Sequence, residues 1–191
     1  MKPLCCALLL LTMAAPHPVP FESSTGWGYK DNSGQVVIGA QFVRAEPFSP
    51  EGLAAVVDSE GWACINVTGK VLIRPLVVDN GPDYFHENLA RFREDGKIGF
   101  FNRSGEVAIQ PTFDFAMPFS EGLAAVCNGC REVPAGEHTT LEGGQWGYID
   151  PHGALAIPLT YDRAESFSNG RARVNTAGKW LRINRNGMPA E

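Results

Sequence analysis

Gly26-Trp27-Gly28-Tyr29-Lys30-Asp31-Asn32-Ser33-Gly34-Gln35-Val36-Val37-Ile38 is the stretch that decides the fold. Trp27, Tyr29 and Asp31 alternate with Gly28 and Lys30, the two-residue period of a strand. Asp31 to Gly34 carries a type I turn signature, with an acid first and a glycine fourth. That glycine takes positive φ without steric penalty, as a hairpin with a bulge requires. The Asp31 carboxylate is placed to accept a hydrogen bond from the backbone two residues on. Val36-Val37-Ile38 is then the return strand of a β-hairpin.

The same register returns along the chain. Trp27, Trp62, Ile98, Trp146 and Trp180 are each followed seven residues later by Gly34, Gly69, Gly105, Gly153 and Gly187. Asp31, Asn66, Asn102, Asp150 and Asn184 stand three residues before those glycines, and Ile38, Ile73, Ile109 and Ile157 fall eleven residues after the first four opening residues. A second block follows in each unit. Phe42, Val77, Phe113 and Tyr161 come first, then Phe48, Phe119 and Phe167. Glu51-Gly52-Leu53-Ala54-Ala55-Val56 is matched by Glu121 to Val126, and more weakly by Asn88 to Phe92 and Gly170 to Val174. This block reads as a third strand, with Pro47, Pro50 and Pro118 denying a helix before it.

Units of about 35 residues therefore start near 26, 61, 97 and 145, with a partial unit near 179. The expected fold is all-β: a tandem array of three-stranded units over residues 21–191, as an open solenoid or meander, with a propeller-like ring as the alternative. One unit cannot bury its aromatic face, so neighbours must cover it. The tryptophans are expected in that core, and the glycine after each is expected to admit the adjacent unit closely; exposed stacking platforms are the competing reading. Five residues separate each third strand from the next opening strand, except between Val126 and Trp146, where residues 127–144 read as an inserted loop.

Residues 1–20 read as an export signal and proline-rich leader. Lys2 is the positive flank, Leu4 to Ala15 the apolar run, and Thr12-Met13-Ala14-Ala15 the small-residue cleavage region. Twelve apolar residues fall short of the roughly 20 that span a bilayer, so no stable membrane span is expected after cleavage, a retained anchor being the alternative. Pro16, Pro18 and Pro20 make an extended leader. The expected location is periplasmic or secreted. A net charge of -5 with no polybasic run argues against nucleic acid.

The pattern resembles the WG repeat family, also called KWG repeats, common in bacterial proteins. Trp27-Gly28-Tyr29 through Glu51-Gly52-Leu53-Ala54 and Trp146-Gly147-Tyr148-Ile149-Asp150 carry the resemblance most strongly. Ile98-Gly99-Phe100-Phe101, Trp62-Ala63 and Trp180-Leu181 depart from it. The resemblance implies a repeat-built β architecture and an interaction or scaffold role, with no shared catalytic residues.

Three readings compete for Cys127-Asn128-Gly129-Cys130: a local disulfide, which an exported chain favours, free thiols, or a metal site with His138, whose fourth ligand would be His152, more simply a turn residue. A redox role lacks the strand–helix context that such motifs use. Cys64 reads as a buried small apolar side chain. Asn66-Val67-Thr68 and Asn102-Arg103-Ser104 match a glycosylation pattern, but the repeat already accounts for both asparagines. No serine elbow or phosphate loop is present, and Glu51 and Glu121 are copies of one repeat position rather than an acid–base pair. Arg163, Arg171, Arg173, Lys179, Arg182 and Arg185 crowd the last unit, opposed by Glu165. They form either a polar terminal cap or a docking face, for which Arg171, Arg173 and Arg182 are the candidate binding residues. The expected function is thus that of a non-enzymatic exported binding or scaffold module for a protein or glycan of the cell envelope, without cofactor or metal. The alternative places redox or metal chemistry at Cys127 and Cys130.

Overall fold

The computed structural model describes residues 17–136 and 138–190. The expected export signal lies outside them. The described residues contain strands and turns and no helix. Five antiparallel sheets follow one another along the chain. The first holds Val19–Ser23, Gly26–Lys30 and Val36–Phe42. The second holds Arg44–Ala45, Leu53–Asp58, Gly61–Asn66 and Val71–Ile73. A small hairpin, Val77–Val78 and Gly81–Pro82, intervenes. The third sheet holds Leu89–Glu94, Lys97–Asn102 and Val107–Phe113. The fourth holds Phe115–Ala116, Ala124–Ala135, His138–Ile149 and Leu155–Tyr161. Arg163–Ala164, Arg171–Thr176 and Lys179–Asn184 make the fifth.

The sheets and the sequence units are out of phase. Each third strand pairs, through a tight turn, with the opening strand of the next unit: Asp58 opposes Gly61, Glu94 opposes Lys97 and Thr176 opposes Lys179. The five-residue gap of the sequence is thus a hairpin. Val19–Ser23 supplies the corresponding strand to the first sheet, so Val19 and Pro20, expected in the leader, are strand residues. One residue, Val43, Asp114 or Asp162, carries the chain from one sheet to the next.

The repeated turn is identical in all five copies. The Oδ1 atoms of Asp31, Asn66, Asn102, Asp150 and Asn184 each accept backbone N–H bonds from the residues two and four places on, at 2.9–3.1 Å. The five turn glycines have φ between 75° and 84°. These turns also carry the stacking. A β-carbon at Gly69, Gly153 or Gly187 would lie 3.1–3.3 Å from Ile38, Ile109 or Ile157 of the preceding unit. Those three turns therefore rest on the isoleucine before them, while the turn at Gly105 rests on Leu53 and Leu72.

The glycine after the opening tryptophan has a role the sequence did not suggest. Trp27 opposes Phe42 and Tyr29 opposes Ile38, so two residues on the opening strand face four on the return strand. The surplus bulges over Gly28, where a β-carbon would lie 2.5 Å from the Ile38 carbonyl oxygen. Gly99 and Gly147 meet Ile109 and Ile157 in the same way, also at 2.5 Å. The close approach comes from the unit's own return strand, not from the adjacent unit. The second unit has Ala63 here, and its return strand stops at Ile73 before the bulge; Arg74 and Pro75 then lead away into the small hairpin.

Four core clusters hold the stack. Each joins one sheet to the next, and none joins the first sheet to the last. The described array is open and not a closed ring. Between the first two sheets Tyr29, Ile38 and Phe42 pack on Ala54, Val56, Ala63 and Ile65. Between the last two, Leu123, Ala125, Tyr148 and Ile157 pack on Ala172, Val174 and Ile183. The loops form a ladder along one edge: the Glu87 carboxylate accepts from Gly122 N–H at 2.9 Å, and Glu121 from Gly170 N–H at 2.8 Å. Glu121 is thus a stacking residue.

The turn Asp95-Gly96 has φ of 49° and 77°, and Ala177-Gly178 has 49° and 78°. Aspartate tolerates the left-handed region and alanine does not. Ala177→Asn should therefore raise stability by about 1 kcal/mol, read as an increased denaturant midpoint at unchanged m-value.

Candidate functional site

Three regions hold the features that the sequence singled out. The first is the insertion, which is not a loop. Ala124–Ala135 and His138–Ile149 extend as a paired arm to the Ala135–His138 rung. Cys-Asn-Gly-Cys and Gly143-Gly144 fall in the stretch that reads as a loop in sequence, but they lie opposite each other in the ladder, which keeps its register through them. Gly129, Gly143 and Gly144 have φ of 80°, 69° and 71°. Cys127 and Cys130 are joined as a disulfide on one strand of the arm. A β-carbon at Gly144 would lie 2.7 Å from the Cys127 sulfur, so this glycine makes room for the bridge. The Asp114 carboxylate accepts from Gly129 N–H at 2.7 Å and from Lys97 Nζ, and these bonds hold it below the usual carboxylate range. Among the described residues no His, Cys, Asp and Glu side chains cluster as metal ligands. His152 is an exposed turn residue.

The arm also decides which tryptophan is buried. Trp146 is 3% exposed; its ring lies 5.7 Å from Phe115, and Leu141 of the arm packs on the same cluster. Trp27 and Trp62 are only half-buried, and Trp180 is 44% exposed. The expectation of a uniformly buried tryptophan set is corrected: of the four tryptophans only Trp146, beside the arm, is buried, while Ile98 at the same place in the third unit is buried in the core.

The second region is the C-terminal face. Arg173 and Arg182 are cross-strand partners, and Arg171 is two residues from Arg173 on the same strand face. Arg173 lies over the Trp180 ring at 4.7 Å and approaches Glu165 at 3.4 Å. The three arginines occupy the positions of Leu123, Ala125 and Tyr148 one sheet earlier, which face the following sheet. On the last sheet these positions are exposed.

The third region lies between the second and third sheets. Tyr29, Phe100 and Tyr148 stand two residues after the opening residue, fully buried, with ring centroids 4.7–4.9 Å from Phe48, Phe119 and Phe167. The Tyr29 and Tyr148 hydroxyls donate to the Glu46 and Glu165 carbonyls at 2.7 and 2.8 Å, and burial raises both phenol pKa values. The second unit has Cys64 at this place, buried, its thiol pushed up to about 12 by desolvation. Phe101 compensates. It stands where the second, fourth and fifth units have Ile65, Ile149 and Ile183, and its ring meets Phe85 at 5.3 Å. Phe85 was missed in the sequence because the small hairpin displaces it by two residues from the register of Phe48. A cavity of about 240 Å³ remains beside Cys64.

Its neighbours include a buried ion pair. Arg91 Nε and Nη2 donate to Asp83 Oδ2 and Oδ1 at 2.9 and 2.8 Å, Arg91 N–H donates to Oδ2 at 2.9 Å, and Nη1 donates to the Ala116 carbonyl at 2.9 Å. Asp83 is 6% exposed and Arg91 8%. In the last sheet Glu165 and Arg173 hold the same two positions, but open to solvent.

No curated protein matches the sequence. Among solved structures, the chain is similar to one titled as the crystal structure of the eukaryotic initiation factor, at 13% identity and a TM-score of 0.39, covering 92% of this chain and 52% of that one. It is also similar to a protein of unknown function from Bacteroides caccae, at 13% identity and a TM-score of 0.28, covering 91% of this chain and 76% of that one. The chain thus spans about half the length of the first of these. The family described as WG containing repeat matches residues 27–62, 62–97, 98–129 and 146–180. Those four matches take in most of the chain and fall on the register built from Trp27, Trp62, Ile98 and Trp146: the chain belongs to the WG containing repeat family.

Proposed function

We propose that this chain is a non-enzymatic, exported binding module whose open C-terminal face holds an acidic protein partner of the cell envelope. One observation carries the reading. Where the fourth sheet presents Leu123, Ala125 and Tyr148 to the following sheet, the last presents Arg171, Arg173 and Arg182 beside the exposed Trp180. Cations flanking an indole on an otherwise acidic protein suit an acidic surface, attracting it over distance and offering a flat apolar contact on arrival. Export rests on Lys2 and the apolar run to Ala15.

The test is surface plasmon resonance on immobilised polyglutamate, with a neutral polymer as the control and an anionic polysaccharide as a second surface. Saturable binding to polyglutamate is expected, weakened about tenfold or more by the combined Arg171→Ala, Arg173→Ala and Arg182→Ala changes and by added salt. These side chains are exposed, so the fold should survive the changes. Equal binding by the variant would leave the arginines as a solvated cap, and preference for the polysaccharide would transfer the reading to glycan.

A further inference from the structure

We propose that the cavity between the second and third sheets binds one aromatic ring bearing a carboxylate, with the ring beside Cys64 and Phe101 and the anion at Arg103. The repeat itself identifies the ring. At the position of Cys64 three other units bury Tyr29, Phe100 and Tyr148. The second unit offers a thiol instead, and Phe101 reclaims only part of the space. What remains is about 240 Å³, walled by Leu53, Ala55, Cys64, Pro82, Phe85 and Phe101 and open at Tyr84 and Arg103. An apolar cavity of about 150 Å³ suffices for benzene. The volume here therefore admits a benzene ring with a short substituent.

Charge at the mouth selects the substituent. Two charged residues line the cavity, Asp83 and Arg103. Both Asp83 oxygens already accept from Arg91. Arg103 is exposed; its Nε donates to Asn88 Oδ1 at 3.0 Å, and its guanidinium lies 4.9 Å over the Phe85 ring. Among the described residues no carboxylate comes within 4.0 Å of it, although Glu51 feels its charge. A planar guanidinium stacked at the rim of an apolar pocket, with donors to spare, is matched by a carboxylate one or two bonds from the ring. The site shares no residue with the C-terminal arginine face, so either reading can fail alone.

The test is a calorimetric titration of the full chain, paired with saturation-transfer NMR, using phenylacetate as the probe and benzyl alcohol and acetate as controls. Phenylacetate should bind saturably in the millimolar range or tighter, with its ring protons saturated most strongly, and acetate should not bind. Arg103→Gln should weaken phenylacetate by about tenfold and leave benzyl alcohol unchanged. Ala55→Leu should abolish both by filling the cavity. Arg103 is exposed, so its arm stands even where Ala55→Leu impairs folding. Absence of saturable binding to the native chain, equal affinity in Arg103→Gln, or acetate binding as tightly as phenylacetate would overturn the proposal.

Discussion

Alanine at Gly147 is expected to destabilise the protein by about 3 kcal/mol or more, enough to unfold the fourth sheet before the rest. The added β-carbon would lie 2.5 Å from the Ile157 carbonyl oxygen and 2.7 Å from the carbonyl carbon and oxygen of Pro158. All three contacts are backbone, so no side chain can swing aside. Relief requires the bulge to open, and with it the pairing of Trp146 with Tyr161. The second unit shows what that looks like. With Ala63 in place of glycine, its return strand ends at Ile73, and Trp62 has no return-strand partner. Ala63→Gly should accordingly cost no more than about 1 kcal/mol, the ordinary penalty of glycine in a strand. Urea denaturation of both variants checks the pair. Equal losses would mean that the bulge, not the glycine, is dispensable.

Asp83→Ala is expected to cost about 3–5 kcal/mol, because it leaves the buried Arg91 guanidinium with only the Ala116 carbonyl. The repeat provides a control at the same two positions. Glu165 and Arg173 are about half exposed and 3.4 Å apart, so Glu165→Ala should cost less than about 1 kcal/mol. The comparison sets a buried acid–arginine pair against an exposed one at corresponding places of two repeats. Thermal or urea unfolding at fixed pH measures it; similar losses in the two variants would show that burial does not set the strength of this pair.

The turn was legible because its chemistry is local. An acid or amide at Asp31 with a glycine at Gly34 specifies hydrogen bonds within five residues, and five copies made the register unmistakable. Pairing across units was less legible. The same spacing that reads as a gap between Val56 and Trp62 is a hairpin, because Ser59 and Glu60 close the turn without the glycine and asparagine pairs that mark most such loops. The arm at residues 124–149 was hidden for the opposite reason. Its glycines look like loop residues, yet they stand in a continuous ladder and make room beside the disulfide. The arginine face is visible in composition, but only the sheet register shows that Arg171, Arg173 and Arg182 replace the residues that would cover a neighbour. The cavity depends on a loss at Cys64 and a gain at Phe101, from different units, and no single stretch of sequence announces both.

The offset between sheets and sequence units bears on how this chain can be cut. A fragment excised from one tryptophan to the next would lose a strand at its start and carry an orphan at its end, leaving an exposed hydrogen-bonding edge at each side. Fragments that begin at the joints Val43, Asp114 or Asp162, whose N–H groups bond to Val57, Cys127 and Asn175 of the following sheet, keep their ladders whole. The module that can be transplanted is therefore not the module that the eye finds in the letters.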